Sequence, residues 1–350
     1  MIDFRYHVVS IVAIFLALTV GLVIGASILS KGVADSLRND LAQRNDQIKS
    51  QQHQINELKT QQDQQNKYIT DTANQLATGR LSGLCVALVE IAGADADAYA
   101  GVHEMAQKQS GATICSETMI NASLTAGGEQ QSLTTLVQEH TPTGQKLGGT
   151  LEQQAVELIG EALMTYQTPG ATAETTHPTS TASPAVGAGT TATPAIGAGS
   201  TATASGGTMT AGEALGTLKD LQSAGFITIL TLPSAGEQAS FAYVQAPTTA
   251  NSDAENQTYI TLADTLRKGG AGTVVGGSGD SADKGGLVYA IIADSTATRE
   301  ISTVDDTDST TGQVASVFCL AAESQGSGNA AGHYGIGANN DGPVPPIATG

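Results

Sequence analysis

The residues from Val8 to Ser30, VVSIVAIFLALTVGLVIGASILS, limit what this chain can fold into more than any other feature. These 23 consecutive residues carry no charge and are mostly apolar. As a helix rising ~1.5 Å per residue they would reach ~35 Å, slightly more than the ~30 Å hydrocarbon core of a bilayer. The stretch therefore predicts one transmembrane helix, and the remaining chain is tethered to it.

A cleaved secretory signal peptide is the alternative for this stretch. Arg5 would supply its basic region, and the small residues Gly25-Ala26-Ser27 its cleavage site. An apolar region of a signal peptide normally runs ~7–15 residues, and here the apolar run is longer and continues as a helical pattern. An uncleaved anchor is favoured, with residues 1–7 as a short cytoplasmic flank. The Lys and Arg count does not fix the orientation. The short flank indicates a single-pass protein of the cell membrane with the bulk of the chain extracytoplasmic.

Composition argues against nucleic acid as a partner. Fifteen Lys and Arg face 33 Asp and Glu, a formal net charge of −18, and the chain has no tryptophan. Such a chain repels polyanions and has few aromatic rings for base stacking. The membrane is the expected partner, through the helix.

Residues 31–78 show a coiled-coil pattern, because apolar residues recur with a seven-residue period. The predicted seam comprises Leu41, Ile48, Ile55, Leu58, Ile69 and Leu76. Gln62 interrupts the main row, and the companion row that holds Leu58 is mostly polar, so the seam is weak. Ile in the main row favours a parallel pair of helices. A homodimer and a hetero coiled coil with another protein's helix both remain open.

Beyond Gly79, strands and helices alternate, which predicts an α/β domain with a mostly parallel sheet. It is split into a first part, 79–167, and a second part, 211–325, followed by a Gly-rich tail, 326–350. The predicted strands are Leu84–Ile91, Ala112–Thr118, Phe226–Leu232, Phe241–Gln245, Gly272–Val275 and Ile301–Val304. The predicted helices are Ala96–Gln109, Gln131–His140, Leu151–Thr165, Gly212–Ala224, Ala254–Arg267, Lys284–Ala293 and Thr311–Ser324.

The two parts are separated by a low-complexity insert, 168–210, made of Thr, Ala, Gly, Ser and Pro. It contains the near-repeat TASPAVGAGT and TATPAIGAGS. Such a segment cannot bury enough apolar area to offset the entropy lost on ordering, so a disordered surface loop is expected.

Two motifs have residues that could form a chemical site. The turn TVVGGSGD, 273–280, completes neither a nucleophile elbow nor a phosphate-binding loop, so a strand-to-helix turn is favoured over a catalytic Ser278. Asp305, Asp306 and Asp308 follow a predicted strand, where open α/β sheets bind ligands and where carboxylates could hold a cation. Capping of the next helix by Thr307, Asp308 or Ser309 is favoured. No nucleophile–base set stands out, and a non-enzyme is expected.

Metal ligands are not clustered in the sequence. Cu(I) sites use closely spaced Cys, Met and His residues, and the three cysteines here are far apart. Cys85 and Cys115 could face each other on neighbouring strands as a disulfide, although two buried thiols are favoured. Asp305 and His333 are weak metal candidates, and the sequence itself shows no cofactor.

Several segments together resemble a known family. They are RYHVVSIVAIFLALTVGLVIGASIL, the Gln-rich coil, ISTVDDTDSTTGQVASVFCL and AGHYGIG. They are similar to the mycobacterial copper transport protein B family, MctB, of actinobacteria. The family-motif positions are Ser302, Thr303, Val304, Asp305, Gly332, His333, Tyr334 and Gly335, and where the family usually has Asn this chain has Asp306.

The resemblance implies a cell-envelope protein of copper homeostasis, with copper as a possible cofactor, described as a transporter or outer-membrane channel. It also ties some relatives to cell-wall remodelling at daughter-cell separation. A channel wall needs several helices or a closed barrel, and this chain offers one helix and a buried sheet. We therefore expect a cell-membrane rather than an outer-membrane protein. The alternative is a coiled-coil scaffold that recruits a partner in cell-wall remodelling.

Overall fold

The computed structural model describes residues 4–165, 209–232, 239–324, 331–337 and 340–346. The chain divides into two compact units, Met1–Lys67 and Tyr68–Gly350. The predicted insert, 168–210, lies outside the described residues except for its last two positions, Met209 and Thr210.

The first unit belongs to one helix, α1, which runs from Phe4 to Ala77. Its segment Tyr6–Gly25 is the one described helical stretch that is long and apolar enough to cross a membrane. Its apolar side chains face outward, and Phe15 and Leu22, for example, are 66% and 68% exposed. Lipid can cover such a surface at little cost, so this segment fits a membrane anchor. The stretch predicted as a coiled coil is helical as far as Ala77, and Gly79, with a φ of +73°, follows the end of the helix. A second helix beside it stays a prediction.

The second unit is an α/β domain built on a seven-stranded sheet. The strands are β1 Cys85–Ile91, β2 Thr113–Ile120, β3 Ile227–Thr231, β4 Phe241–Gln245, β5 Gly272–Gly276, β6 Ser302–Val304 and β7 His333–Tyr334. Their order is β3-β2-β1-β4-β5-β6-β7. All neighbours are parallel except β2 and β3. The predicted mostly parallel sheet is confirmed.

Helices cover both faces of the sheet. They are α2 Ala96–Glu104, α3 Gln130–His140, α4 Leu151–Thr165, α5 Ala211–Ser223, α6 Asp253–Gly269, α7 Leu287–Ala293, α8 Ala297–Glu300 and α9 Thr310–Ser324. One apolar cluster joins Val86 and Leu88 of β1 to α2 and α9. The other joins Val89 and Ile91 to the helices from α3 to α8. Burial on both faces explains why these strands are continuous apolar runs.

The elements that the sequence patterns missed are short, among them a 3-10 helix at Ala122–Leu124. β7 has two residues and α8 has four, too few for either to show a periodic pattern. The predicted helix 96–109 is also not uniform, because its last turn, Met105–Gln109, widens into a π-helix.

The expectation of two free thiols at Cys85 and Cys115 was wrong, because the two residues form a disulfide. The register of β1 and β2 shifts between Val86 and Ala87, so Cys115 is an extra residue on β2 with no Cα partner on β1. Its Cα lies 5.6 Å from that of Cys85, within the range that a disulfide bridges. A bulge of this kind leaves no sequence signal. Cys319 is buried and free.

Candidate functional site

The carboxyl ends of the parallel strands form the edge where open α/β sheets place their ligands. In the strand order β2-β1-β4-β5-β6, the chain adds β2 on one side of β1 and adds β4, β5 and β6 on the other side. The topological switch point therefore lies between β1 and β4. The loops that follow these two strands cross each other there. Thr248 donates from its backbone N–H and its hydroxyl to Gly93 O, over 3.0 and 3.1 Å, and Ala94 forms a β-bridge with Pro247. The two loops are therefore joined to each other at this switch point.

The two family-motif segments lie side by side at the other end of the same edge. Thr303 pairs with His333 and Val304 with Tyr334. The Gly332 N–H donates to Ser302 Oγ over 3.2 Å, and the Asp305 N–H donates to Tyr334 O over 3.1 Å. Ser302-Thr303-Val304-Asp305 and Gly332-His333-Tyr334-Gly335 are thus one hydrogen-bonded unit, which we call the motif unit.

Both ring nitrogens of His333 have hydrogen-bond partners. Nδ1 lies 2.8 Å from Thr303 Oγ1, and Nε2 lies 2.9 Å from both the hydroxyl and the carbonyl oxygen of Thr298. Its backbone N–H donates to Asp341 Oδ2 over 2.9 Å. With 8% of the residue exposed, the ring ties β6, β7 and α8 together.

Asp305 binds the tail that follows β7. The Ile336 N–H donates to Oδ1 over 2.7 Å, and the Gly337 N–H donates to Oδ2 over 2.8 Å. A Cβ at Gly335 would lie 1.9 Å from Oδ1, and Gly335 has a φ of +129°, so only glycine fits there. Burial raises the pKa of Asp305, and the two backbone donors partly offset this effect. Both carboxylate oxygens of Asp305 therefore accept hydrogen bonds from the tail.

Asp306 lies on the other side of the loop, against α9. Ser309 Oγ donates to Asp306 Oδ2 over 2.9 Å and accepts the Gly312 N–H over 3.1 Å, so Ser309 caps α9 as one of the predicted candidates. Asp306 Oδ1 is buried, and no described group donates to it. Burial raises the pKa of Asp306 to about 6, with Asp305 and Asp308 adding a smaller repulsive effect.

A buried polar chain beneath this loop was not predicted from the sequence. The Tyr243 hydroxyl donates to Gln245 Oε1, and Gln245 Nε2 donates to Thr307 Oγ1 over 3.0 Å. Both Tyr243 and Gln245 are fully buried. Gly276 leaves the space that the Tyr243 hydroxyl occupies, since a Cβ at residue 276 would lie 2.1 Å from the hydroxyl oxygen. The sequence signal for this polar chain is Gln245, a polar residue at the end of the apolar strand FAYVQ.

The turn after β5 has the predicted form, and residues 279–282 make a short 3-10 helix. Ser278 is buried, and its hydroxyl has no hydrogen-bond partner among the described residues. Within the described ranges, no group of three or more His, Cys, Asp and Glu side chains is arranged to hold a metal ion. At this edge the geometry supports fastening of the tail.

Known proteins are similar to this chain over almost its whole length. The family model described as "Copper transport outer membrane protein, MctB" matches residues 1–345. Proteins named "Copper transporter MctB" from Mycobacterium bovis and Mycobacterium tuberculosis are each 26% identical to this chain over 342 residues. The similarity covers 96% of this chain and 97% of each relative. By the match over nearly its whole length, this chain belongs to the MctB family.

Proposed function

We propose that this protein is a membrane-anchored component of copper homeostasis whose α/β domain lies outside the cytoplasm. The family match and the names of its relatives support the link to copper. The disulfide between Cys85 and Cys115 is the observation that supports the proposed location. Disulfides persist in oxidising compartments and are rare in the cytosol, so a bridge between two core strands supports an extracytoplasmic domain.

The chain by itself does not supply a path for an ion through a membrane. In the part of the chain that the structure describes, one helix is long and apolar enough to span, and a single helix encloses no lumen. We therefore propose that the protein binds copper or assists a partner, in the cell membrane rather than as an outer-membrane pore.

The second candidate function is a coiled-coil scaffold that recruits a partner in cell-wall remodelling. A specific observation favours it, because the predicted seam lies on the surface of α1. Leu41, Ile48, Ile55 and Leu58 are 59%, 61%, 45% and 64% exposed. An apolar row exposed along a polar helix favours a second helix beside it.

A deletion strain separates the two candidates. If the protein serves copper homeostasis, the strain will grow at lower copper concentrations than its parent and will hold more cell-associated copper. The full-length gene should restore both values. Normal copper tolerance together with unseparated daughter cells would contradict the first candidate and support the scaffold.

A further inference from the structure

The tail after β7 presents one large apolar side chain to solvent. Ile336 is 75% exposed, and the other exposed large apolar side chains described after Gly79, Leu230 and Tyr289, reach 53% and 39%. Single exposed apolar residues are common on protein surfaces, so exposure alone identifies no site. Ile336 is distinguished by the way its backbone is held. We call residues 335–337 the Ile336 loop.

Five hydrogen bonds fix the backbone of the Ile336 loop. Two are the bonds from the N–H groups of Ile336 and Gly337 to Asp305 described above. The Gly335 N–H donates to Gly342 O over 3.0 Å. Asn340 Nδ2 donates to the carbonyl oxygens of Gly335 and Gly337 over 2.8 and 2.7 Å. Every N–H group of the loop and two of its three carbonyl groups are therefore bonded within the domain.

The two glycines leave Ile336 as the only side chain of the loop. Gly335 has a positive φ, and a Cβ at Gly337 would lie 2.4 Å from Asp305 Oδ2, so neither position has room for a side chain. The loop thus holds a single aliphatic group in a fixed position facing solvent. A group that is already ordered loses little conformational entropy on binding, which favours its use as an anchor in an interface.

The turn after β5 places acidic side chains next to the loop. A Cβ at Gly337 would lie 3.1 Å from Ala282 Cβ, so the loop packs on this turn. Asp280 and Asp283 lie on either side of Ala282 in the chain, and both are exposed.

The segment after β6 adds a further exposed carboxylate. Burial raises the pKa of Asp305, and Asp308 adds a smaller repulsive effect, which places the Asp308 charge near the loop. Asp308 is exposed. Lys284 is the one Lys or Arg in the three segments that meet here, 277–286, 305–309 and 331–337. Ile336 is thus an apolar group with acidic surroundings.

These charges select the kind of partner. A second copy of this chain would bring the same acidic surface and a further net charge of −18, and an anionic lipid surface would be repelled in the same way. A protein surface with an apolar pocket edged by Lys or Arg complements both the side chain and the charge. Interfaces of this type place an apolar anchor at the centre and charged groups at the rim.

We propose that the Ile336 loop is a docking site for a different protein, which receives the Ile336 side chain in an apolar pocket edged by Lys and Arg. Asp305 is then a positioning residue, because its carboxylate holds two of the three N–H groups of the loop. The inference depends neither on copper nor on the seam of α1.

The first test is photo-cross-linking in growing cells. The full-length protein carries benzoylphenylalanine in place of Ile336, and the matched control carries it in place of Leu230, an exposed aliphatic residue on β3 at the other end of the sheet. Position 336 should give one dominant product with a different protein, and the cross-linked peptide should place Lys or Arg beside apolar residues. A product with a second copy or with lipid, no product, or equal yield from position 230 would overturn the docking site.

The second test measures the affinity of the purified full-length protein for the protein captured at position 336. Ile336→Ser should weaken binding by roughly tenfold or more, as truncation of an interface anchor does. The double variant Asp280→Asn with Asp308→Asn should weaken binding several-fold and reduce its salt dependence. Leu230→Ser is the control and should bind as the wild type does. Unchanged affinity of Ile336→Ser would overturn the anchor, and unchanged affinity and salt dependence of the double variant would overturn the basic rim.

The deletion strain keeps this inference separate from the proposed function. If the strain is copper-sensitive but position 336 gives no product, the docking site fails and the copper function stands. If position 336 captures a partner but the strain tolerates copper normally, the docking site stands and the copper function fails.

Discussion

Asp306 is a buried carboxyl group, and one of its oxygens has no hydrogen-bond partner among the described residues. Its protonation should therefore affect folding stability. Its pKa is raised from 3.8 to about 6 in the folded chain. At a pH between these two pKa values, Asp306 is protonated in the folded chain and ionised in the unfolded chain. The stabilisation is therefore complete below pH ~4 and is lost as pH rises through ~6. At pH 7 the charged Asp306 lowers the free energy of unfolding by up to about 3 kcal/mol.

Asp306→Asn should remove this pH dependence. Its amide oxygen can still accept from Ser309, and although its NH₂ group lacks an acceptor, no charge is buried. We expect a net gain of about 1 kcal/mol at pH 7. The check is the difference between the unfolding free energies of wild type and variant from pH 4 to pH 8, because other carboxyl groups contribute equally to both. The same pH slope in both proteins would show that Asp306 does not titrate in this range.

Asp305 should fasten the tail rather than hold the whole domain together. Asp305→Ala leaves the N–H groups of Ile336 and Gly337 without acceptors, so their hydrogen exchange should become faster. Because burial already disfavours the charge, the global free energy of unfolding should change by less than about 2 kcal/mol. Asp283→Ala, at an exposed position in the turn after β5, is the control. Unchanged exchange at both amides would contradict this role.

At the scale of elements, most strands and helices could be predicted, and their long-range partners could not. Phe241–Gln245 and Leu151–Thr165 agree residue for residue, because each shows the apolar pattern of its own element. The contacts of Asp305 with the tail and the disulfide of Cys85 depend on strand register, which the local pattern does not encode. The Gln245–Thr307 hydrogen bond likewise joins the end of β4 to a loop far away in sequence.

The next prediction, also at the scale of elements, is that a second helix packs on the seam of α1. Full-length protein in membranes carrying Ile48→Cys or Ile55→Cys should form one dominant cross-linked product through the new thiol. The partner chain would cover these exposed side chains, and each buried Ile contributes roughly 1.5–3 kcal/mol.

Thr60→Cys is the matched control for this experiment, because Thr60 is exposed on the face of α1 opposite the seam. It should give little cross-linked product. No product from either seam position, or equal product from Thr60→Cys, would mean that α1 is a spacer without a helical partner.

At the scale of the whole molecule, two features support the same topology. The exposed apolar segment Tyr6–Gly25 fits a membrane anchor, and the disulfide lies in the domain that follows it. The charge of −18 is compatible with an aqueous domain on either side of a membrane, so it adds nothing to this choice. The proposed location therefore depends on the redox state of Cys85 and Cys115 in cells.

The most direct test of that location is thiol trapping of full-length protein from growing cells. Cells are quenched in acid, and the denatured chain is labelled with a polyethylene glycol maleimide with and without prior reduction. The chain has three cysteines, and Cys319 is free. The account predicts one label without reduction and three labels after it. Three labels without reduction would show that Cys85 and Cys115 are thiols in the cell, which contradicts an α/β domain in an oxidising compartment.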